Sequence, residues 1–245
     1  VINGRVPWKE RTAHVQEIGV VFGQRSQLWW DVPVADSFEL LRDIYRVDGA
    51  AYRKTLSRLT ELLELGELLR TPARQLSLGQ RMRCEIAAAL LHEPKILFLD
   101  EPTIGLDAVS KAAVRGFIRT CNKERGTTVI LTTHDMQDIE ALAERILLIG
   151  RGRILLDGTL DELKRRRPAQ RRLTVAYGGG ALPVVEGLTP LRDADGHAEL
   201  LLDTDLLSVS EAVARISAQT EVKDLSVSGE SIEELVVSLY REYRI

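Results

Sequence analysis

Two adjacent acids close a short apolar run: Ile96-Leu97-Phe98-Leu99 leads directly into Asp100-Glu101-Pro102-Thr103. A buried strand ending this way sets two carboxylates at its open end. One can help hold a divalent cation against phosphate oxygens, and the other can polarise a water for in-line attack. Neighbouring carboxylates also oppose each other's ionisation, which is costly unless a cation or a function requires both. A strand that merely ends in a solvated polar turn has the same local pattern. Upstream, Leu76-Ser77-Leu78-Gly79-Gln80 precedes a helical stretch. Ser77 and the backbone N–H groups around Gly79 suit an anion at a helix N-terminus, although an ordinary serine cap followed by a glycine turn reads the same way. His134 follows the run Val129–Thr133, and Gln24 follows Glu17–Phe22. Both would stand beyond a strand's carboxyl end, where ligands of open α/β sheets bind.

Those positions require strands and helices in alternation. Residues 17–22 read as a buried β-branched strand, and 37–69 as helical, with Phe38, Leu41, Ile44, Leu56, Leu59, Leu62 and Leu63 at helix spacing before Gly66. A helix ending before Pro94, strand 95–100, helix 108–123, strand 127–133, helix 136–143 and strand 145–150 follow. This order predicts a parallel sheet covered on both faces. The basic run from Lys164 to Arg172 reads as a solvated linker. Beyond it, alternating strands at 173–177 and 198–202 and capped helices at Ser208 and Ser231 predict a small α+β appendage. Gly178–Gly180 and Asp193–Gly196 read as loops, and Ile232–Tyr243 as an amphipathic helix.

Composition narrows the field. The chain has 245 residues, 44% of them hydrophobic and 28% charged, with a net charge of -3. Collagen-like, disordered and membrane-spanning classes drop out, since no run approaches the roughly 18 apolar residues of a spanning helix. The near-neutral charge argues against a nucleic-acid partner. Cys84 and Cys121, the only cysteines, read as free thiols of a reducing cytosol. His14, His92 and His197 show no ligand spacing and read as surface residues.

Three stretches, Leu76–Gln80, Ile96–Asp107 and Thr132-Thr133-His134-Asp135, together resemble the nucleotide-binding subunit of an ABC transporter. In order they look like its signature motif, its Walker B strand with D-loop, and its H-loop; Phe22-Gly23-Gln24 resembles its Q-loop. The segment Gln24–Asp31 and the C-terminal extension resemble an exporter branch. The resemblance implies a P-loop-NTPase-like α/β core over residues 1–165, with a helical subdomain at about 25–92 and an accessory α+β domain at 166–245. It implies ATP and Mg²⁺ as cofactors, with Asp100 and Gln24 at the metal, Glu101 as catalytic base, His134 on the γ-phosphate and Gln24 as its sensor. Ser77, Leu78, Gly79 and Gln80 would close on the ATP of a second ATP-binding subunit, and Asp107 would bridge the two. A transmembrane permease would be the other partner, met by the helical stretch, which places the protein peripherally on the inner face of the cell membrane. Trp29 and Trp30 suit either that interface or a core anchor.

A phosphate loop, G-x-x-x-x-G-K-[ST], supplies a backbone cradle and a lysine, and the sequence contains no Gly-Lys dipeptide. In the family this Walker A loop precedes the Q-loop. The expectation is therefore a chain truncated before the Q-loop: an ATPase at full length, inactive on its own. The lost strand is expected beside the Walker B strand. The alternative is a catalytically incompetent or regulatory module of the same family.

Overall fold

Strands β1 (Ile18–Phe22), β2 (Ile96–Asp100) and β3 (Thr128–Thr132) pair in parallel in the order β1-β2-β3. The computed structural model describes residues 1–23, 25–165, 170–180 and 182–229. It divides into two compact units, Val1–Leu142 and from Ala143 onward. Residues 143–165, grouped with the first part on sequence, fall in the second unit.

In the first unit the register aligns Val21, Leu99 and Leu131 across the sheet, and one position later Phe22, Asp100 and Thr132. Leu97 and Leu99 are buried with Val21 on one face. On the other face Ile96 is buried and Phe98 half-buried, while Phe22 and Ile130 are about half exposed, so the expected cover is complete on one side and partial on the other. The strand ending at Asp100 is paired along both edges, which corrects a second expectation: no further strand can lie beside it.

The stretch 37–69 is not one helix. Helix α1 (Arg11–Val15) precedes β1, and after it α2 (Val34–Tyr45) and α3 (Gly49–Leu62) are separated by a sharp break. Arg46 adopts φ +54°, and the Asp48 carboxylate accepts the N–H groups of Ala50 and Ala51, capping α3. Helix α4 (Leu78–Leu90) carries the buried run Ile86–Leu90, which packs with Phe38, Leu59 and Leu65 and with the buried face of the sheet in one cluster. Helix α5 (Ala108–Arg125) starts at an Asp107 cap and stops at Gly126 with φ +63°; α6 (Met136–Leu142) follows β3. Cys84 and Cys121 are free and buried, and burial pushes the Cys84 thiol up to about 12.

Two surface readings fail here. His14 is buried, and the His92 ring stacks on Tyr45 at 3.8 Å with Nε2 2.9 Å from the Ile18 carbonyl. Trp29 and Trp30 are 59% and 51% exposed, so neither anchors the core; Arg81 lies over the Trp30 ring.

In the second unit, β4 (Ile146–Gly150) pairs antiparallel with β5 (Arg153–Gly158), not with the parallel sheet. Arg151 and Gly152 both have positive φ, as a two-residue hairpin turn requires. After α7 (Leu160–Arg165), a sheet of order β7-β8-β6-β9 is built from β6 (Gln170–Gly180), β7 (Leu188–Ala194), β8 (His197–Asp203) and β9 (Thr220–Gly229). Helix α8 (Val209–Gln219) buries Ala212 and Ile216 against Leu173, Val175, Leu200 and Leu202. Gly178–Gly180 form strand rather than loop: β6 runs on through them beside β9, with register shifts that absorb the irregularity. Arg171 and Arg172 likewise belong to β6, where Arg172 pairs with Glu199. The helix expected at 232–243 lies outside the described residues, as do Ser231 and Arg166–Ala169. Among the described residues, no helix is long and apolar enough to cross a membrane.

Candidate nucleotide site

Parallel strands deliver their carboxyl ends to one edge, and the chemistry-bearing residues follow that edge. Glu101 comes one residue after Asp100 in β2, and His134 two residues after Thr132 in β3. Glu101 has φ +51°, a left-handed backbone unusual for a side-chain-bearing residue. Its N–H donates to the Thr132 carbonyl at 3.0 Å, which ties the turn to β3. The two side chains meet: His134 Nδ1 lies 2.9 Å from Glu101 Oε1. The carboxylate holds the imidazole pKa above its ordinary value, by hydrogen bonding first and by charge second. With Nδ1 engaged, Nε2 is the nitrogen left for a ligand. His134 is 72% exposed and Glu101 28%, so the pair is open to solvent.

Asp100 is exposed, and its Oδ1 accepts the Thr132 hydroxyl at 2.6 Å. Among the described residues no group of three or more His, Cys, Asp or Glu could hold a metal. A lone oriented carboxylate still fits Mg²⁺, which takes most of its ligands from water and phosphate when it rides on a nucleotide. Gln24 lies outside the described residues. Its neighbour Gly23 donates to the Asp100 carbonyl at 2.7 Å, and a Cβ on Gly23 would stand 2.5 Å from the Glu101 carbonyl oxygen. Only glycine fits there.

The residues 77–80 form a second constellation. Ser77 caps α4 by accepting the Gln80 N–H at 3.2 Å, and its own N–H donates to Gln80 Oε1 at 2.9 Å. This is a reciprocal capping box, so the ordinary cap is present. Gly79 is buried: a Cβ would stand 2.5 Å from Ser110 Oγ in the first turn of α5. Leu78 packs in turn on Gly105, which has φ +71°. Asp107 accepts both the Ser110 N–H at 2.9 Å and its hydroxyl at 2.8 Å, and these bonds hold its carboxyl below the usual range. Among the described residues, no hydrogen bond or ion pair joins Ser77 or Gln80 to Asp100, Glu101 or His134.

The ABC transporter family model matches residues 2–104. The chain is 31% identical over 244 residues to the daunorubicin resistance ATP-binding protein DrrA3 of Streptomyces coeruleorubidus, covering 97% of this chain and 77% of that one. It belongs to the ATP-binding subunits of ABC transporters. The stretches 76–80, 96–107 and 132–135 are the ones that resemble the signature motif, the Walker B strand with D-loop and the H-loop of that family. Daunorubicin/doxorubicin resistance ATP-binding protein DrrA of Streptomyces peucetius is 33% identical over 208 residues, 79% of this chain and 62% of its own length. A dimeric ATP-binding cassette in a post-hydrolysis state bound to ADP and Pi superposes with TM-score 0.54 at 29% identity, over 64% of this chain and 69% of the other. A second ATP-binding subunit of an ABC transporter shares the fold, with TM-score 0.59 at 23% identity over 67% and 68%.

Sequence reasoning missed what supports the H-loop. Thr132 on Asp100 was visible only as part of a motif. Asp138, four residues after His134, is fully buried and takes hydrogen bonds from Thr103, Thr133 and Arg115. An acid on the first turn of a helix after a Thr-Thr-His run was the available signal.

Proposed function

We propose that this subunit hydrolyses ATP at the carboxyl edge of its parallel sheet, in a head-to-tail pair with a second ATP-binding subunit, and so powers export through a transmembrane permease. The observation that carries this reading is the Glu101–His134 pair at 2.9 Å beside Asp100. A water activated by the Glu101 carboxylate attacks the γ-phosphorus: the new O–P bond forms, the bond to the bridging oxygen breaks towards ADP, and the water proton passes to Glu101. His134, held through Nδ1, turns Nε2 to a γ-phosphate oxygen. Asp100 is the protein donor for Mg²⁺, which neutralises charge on the phosphates when bound; Gln24 completes that side. Ser77, Leu78, Gly79 and Gln80 offer the α4 N-terminus to the nucleotide on the partner subunit, and Asp107 lies at the same face. The permease meets the helical part, where exposed Trp29 and Trp30 supply apolar surface. Residues 1–165 act as the ATPase part and 166–245 as the accessory part, on the cytoplasmic face of the membrane.

Export rather than uptake is supported by the two resistance ATP-binding proteins, which match more of this chain than the import ATP-binding proteins among its relatives. The test is phosphate release by the subunit co-purified with its permease. Glu101→Gln is expected to lower the rate about 10²–10⁴-fold and His134→Ala to lower it in the same direction. A rate within threefold of wild type in Glu101→Gln overturns the assignment of the base.

A further inference from the structure

The most deeply buried charge in the first unit is one the mechanism above does not use. Asp138, in the first turn of α6, has no exposed surface. A carboxylate taken out of water must be hydrogen-bonded and paired, or it destabilises the fold. Asp138 has three partners. Arg115 Nε donates to Oδ1 at 2.5 Å, while the hydroxyls of Thr103 and Thr133 both donate to Oδ2, at 2.5 and 3.1 Å.

Those two threonines sit on the two segments that carry the reacting side chains. Thr103 stands two residues after Glu101, and Thr133 directly precedes His134. The Thr133 hydroxyl also accepts the Asp135 N–H at 3.0 Å, so it pins the backbone on both sides of the histidine. Asp135 in turn pairs with Lys111 at 2.5 Å and lies 3.3 Å from Arg115 Nη2, and these two cations are one turn apart on α5. One carboxylate oxygen therefore holds both halves of the Glu101–His134 pair, and the other anchors them to the helix that begins at Asp107.

We propose that Asp138 is a positioning residue of the hydrolytic site, fixing the separation of Glu101 and His134 through Thr103 and Thr133. Arg115 compensates its charge and couples that separation to α5. The functional weight of the pair rests on the reading given above, but the positioning is a statement about geometry and can be read without nucleotide.

The experiment follows the ring nitrogens of the four histidines in the ¹⁵N-labelled chain by long-range ¹H–¹⁵N correlation. Loss of one signal set in His134→Gln assigns His134, and Glu101→Gln gives the position of the ring without its carboxylate. Asp138→Asn and Thr133→Val are expected to move the His134 Nδ1 signal most of the way to that position, while His14, His92 and His197 stay in place. Thr133→Ser restores the hydroxyl and is expected to restore the wild-type signal. A His134 signal unmoved in both Asp138→Asn and Thr133→Val overturns the proposal. Should Asp138→Asn collapse all four histidine signals, the Thr133→Val and Thr133→Ser pair decides alone, since Thr133→Val exchanges the hydroxyl for a methyl at nearly constant volume and Thr133→Ser keeps the hydroxyl. In the permease-bound protein, Thr133→Val is expected to lower kcat about tenfold with KM for ATP within twofold, as misplacement of a catalytic group does. A normal rate in Glu101→Gln would sink the proposed base and leave the histidine spectra, and thus this inference, standing or falling by themselves.

Discussion

The two units solve the same problem, a sheet with a buried face, with opposite consequences for function. In the first unit β1, β2 and β3 run the same way, so Phe22, Asp100 and Thr132 fall in one row and everything that follows them emerges along one edge. In the second, β7, β8, β6 and β9 are antiparallel throughout, and successive strand ends alternate between opposite edges. Its turns are tight, as at Asp195 and Gly196 with φ +52° and +76°, and its charges pair across neighbouring strands, as Arg172 does with Glu199. Parallel strands gather side chains from distant parts of the sequence into one place; antiparallel hairpins disperse them. The open imidazole–carboxylate pair occurs in the parallel sheet.

Matched substitutions in the two units sharpen this contrast. The largest effects on folding are expected from the cores. Leu97→Ala beneath the parallel sheet and Leu202→Ala beneath the antiparallel one should each cost about 2–5 kcal/mol, since both side chains are fully buried. Thermal unfolding followed by hydrogen exchange would show each loss confined to its own unit; a loss shared equally by both would break the comparison. Serine caps come next. Ser77 and Ser208 both accept an N–H three residues on, and replacing either by alanine should cost about 1 kcal/mol. Only Ser77→Ala should also weaken ATP-dependent pairing of subunits, read by light scattering.

The smallest effect concerns pH. His134 has its pKa raised by Glu101, so the pair stabilises the folded chain fully below the imidazole's ordinary value near 6.5. That contribution is lost as pH rises through the raised value. The stability difference between wild type and Glu101→Gln should shrink across that window, whereas the Glu199→Gln difference should change less, because the partner of that carboxylate is Arg172, which stays charged throughout. Denaturant titrations at pH 5.5 and 8.5 (buffer conditions chosen on either side of 6.5) check it.

Much of this was legible in the chain. The run Ile96–Leu99 ending in two acids, the Ser77 cap and His134 after a β-branched strand each encode their surroundings locally, and all three elements form where the spacing puts them. What escaped depends on partners far away in sequence. Nothing near Asp138 announces that Thr103 and Arg115 will meet it. The break at Arg46–Asp48 hides inside a continuous helical pattern, because a left-handed arginine leaves no compositional mark. Gly178–Gly180 carry a loop composition, yet pairing with β9 overrides it. Trp29 and Trp30 are apolar enough for any core and still lie on the surface, whereas His14 is buried and His92 half-buried against Tyr45, although both are polar enough for any surface.

The backbone of Glu101 carries a cost of its own. A side-chain-bearing residue at φ +51° costs about 1 kcal/mol that glycine at the same position would not. The most stable residue for this turn is thus one that has no carboxylate at all. Glu101→Gly would relieve that backbone cost while taking the carboxylate away from His134.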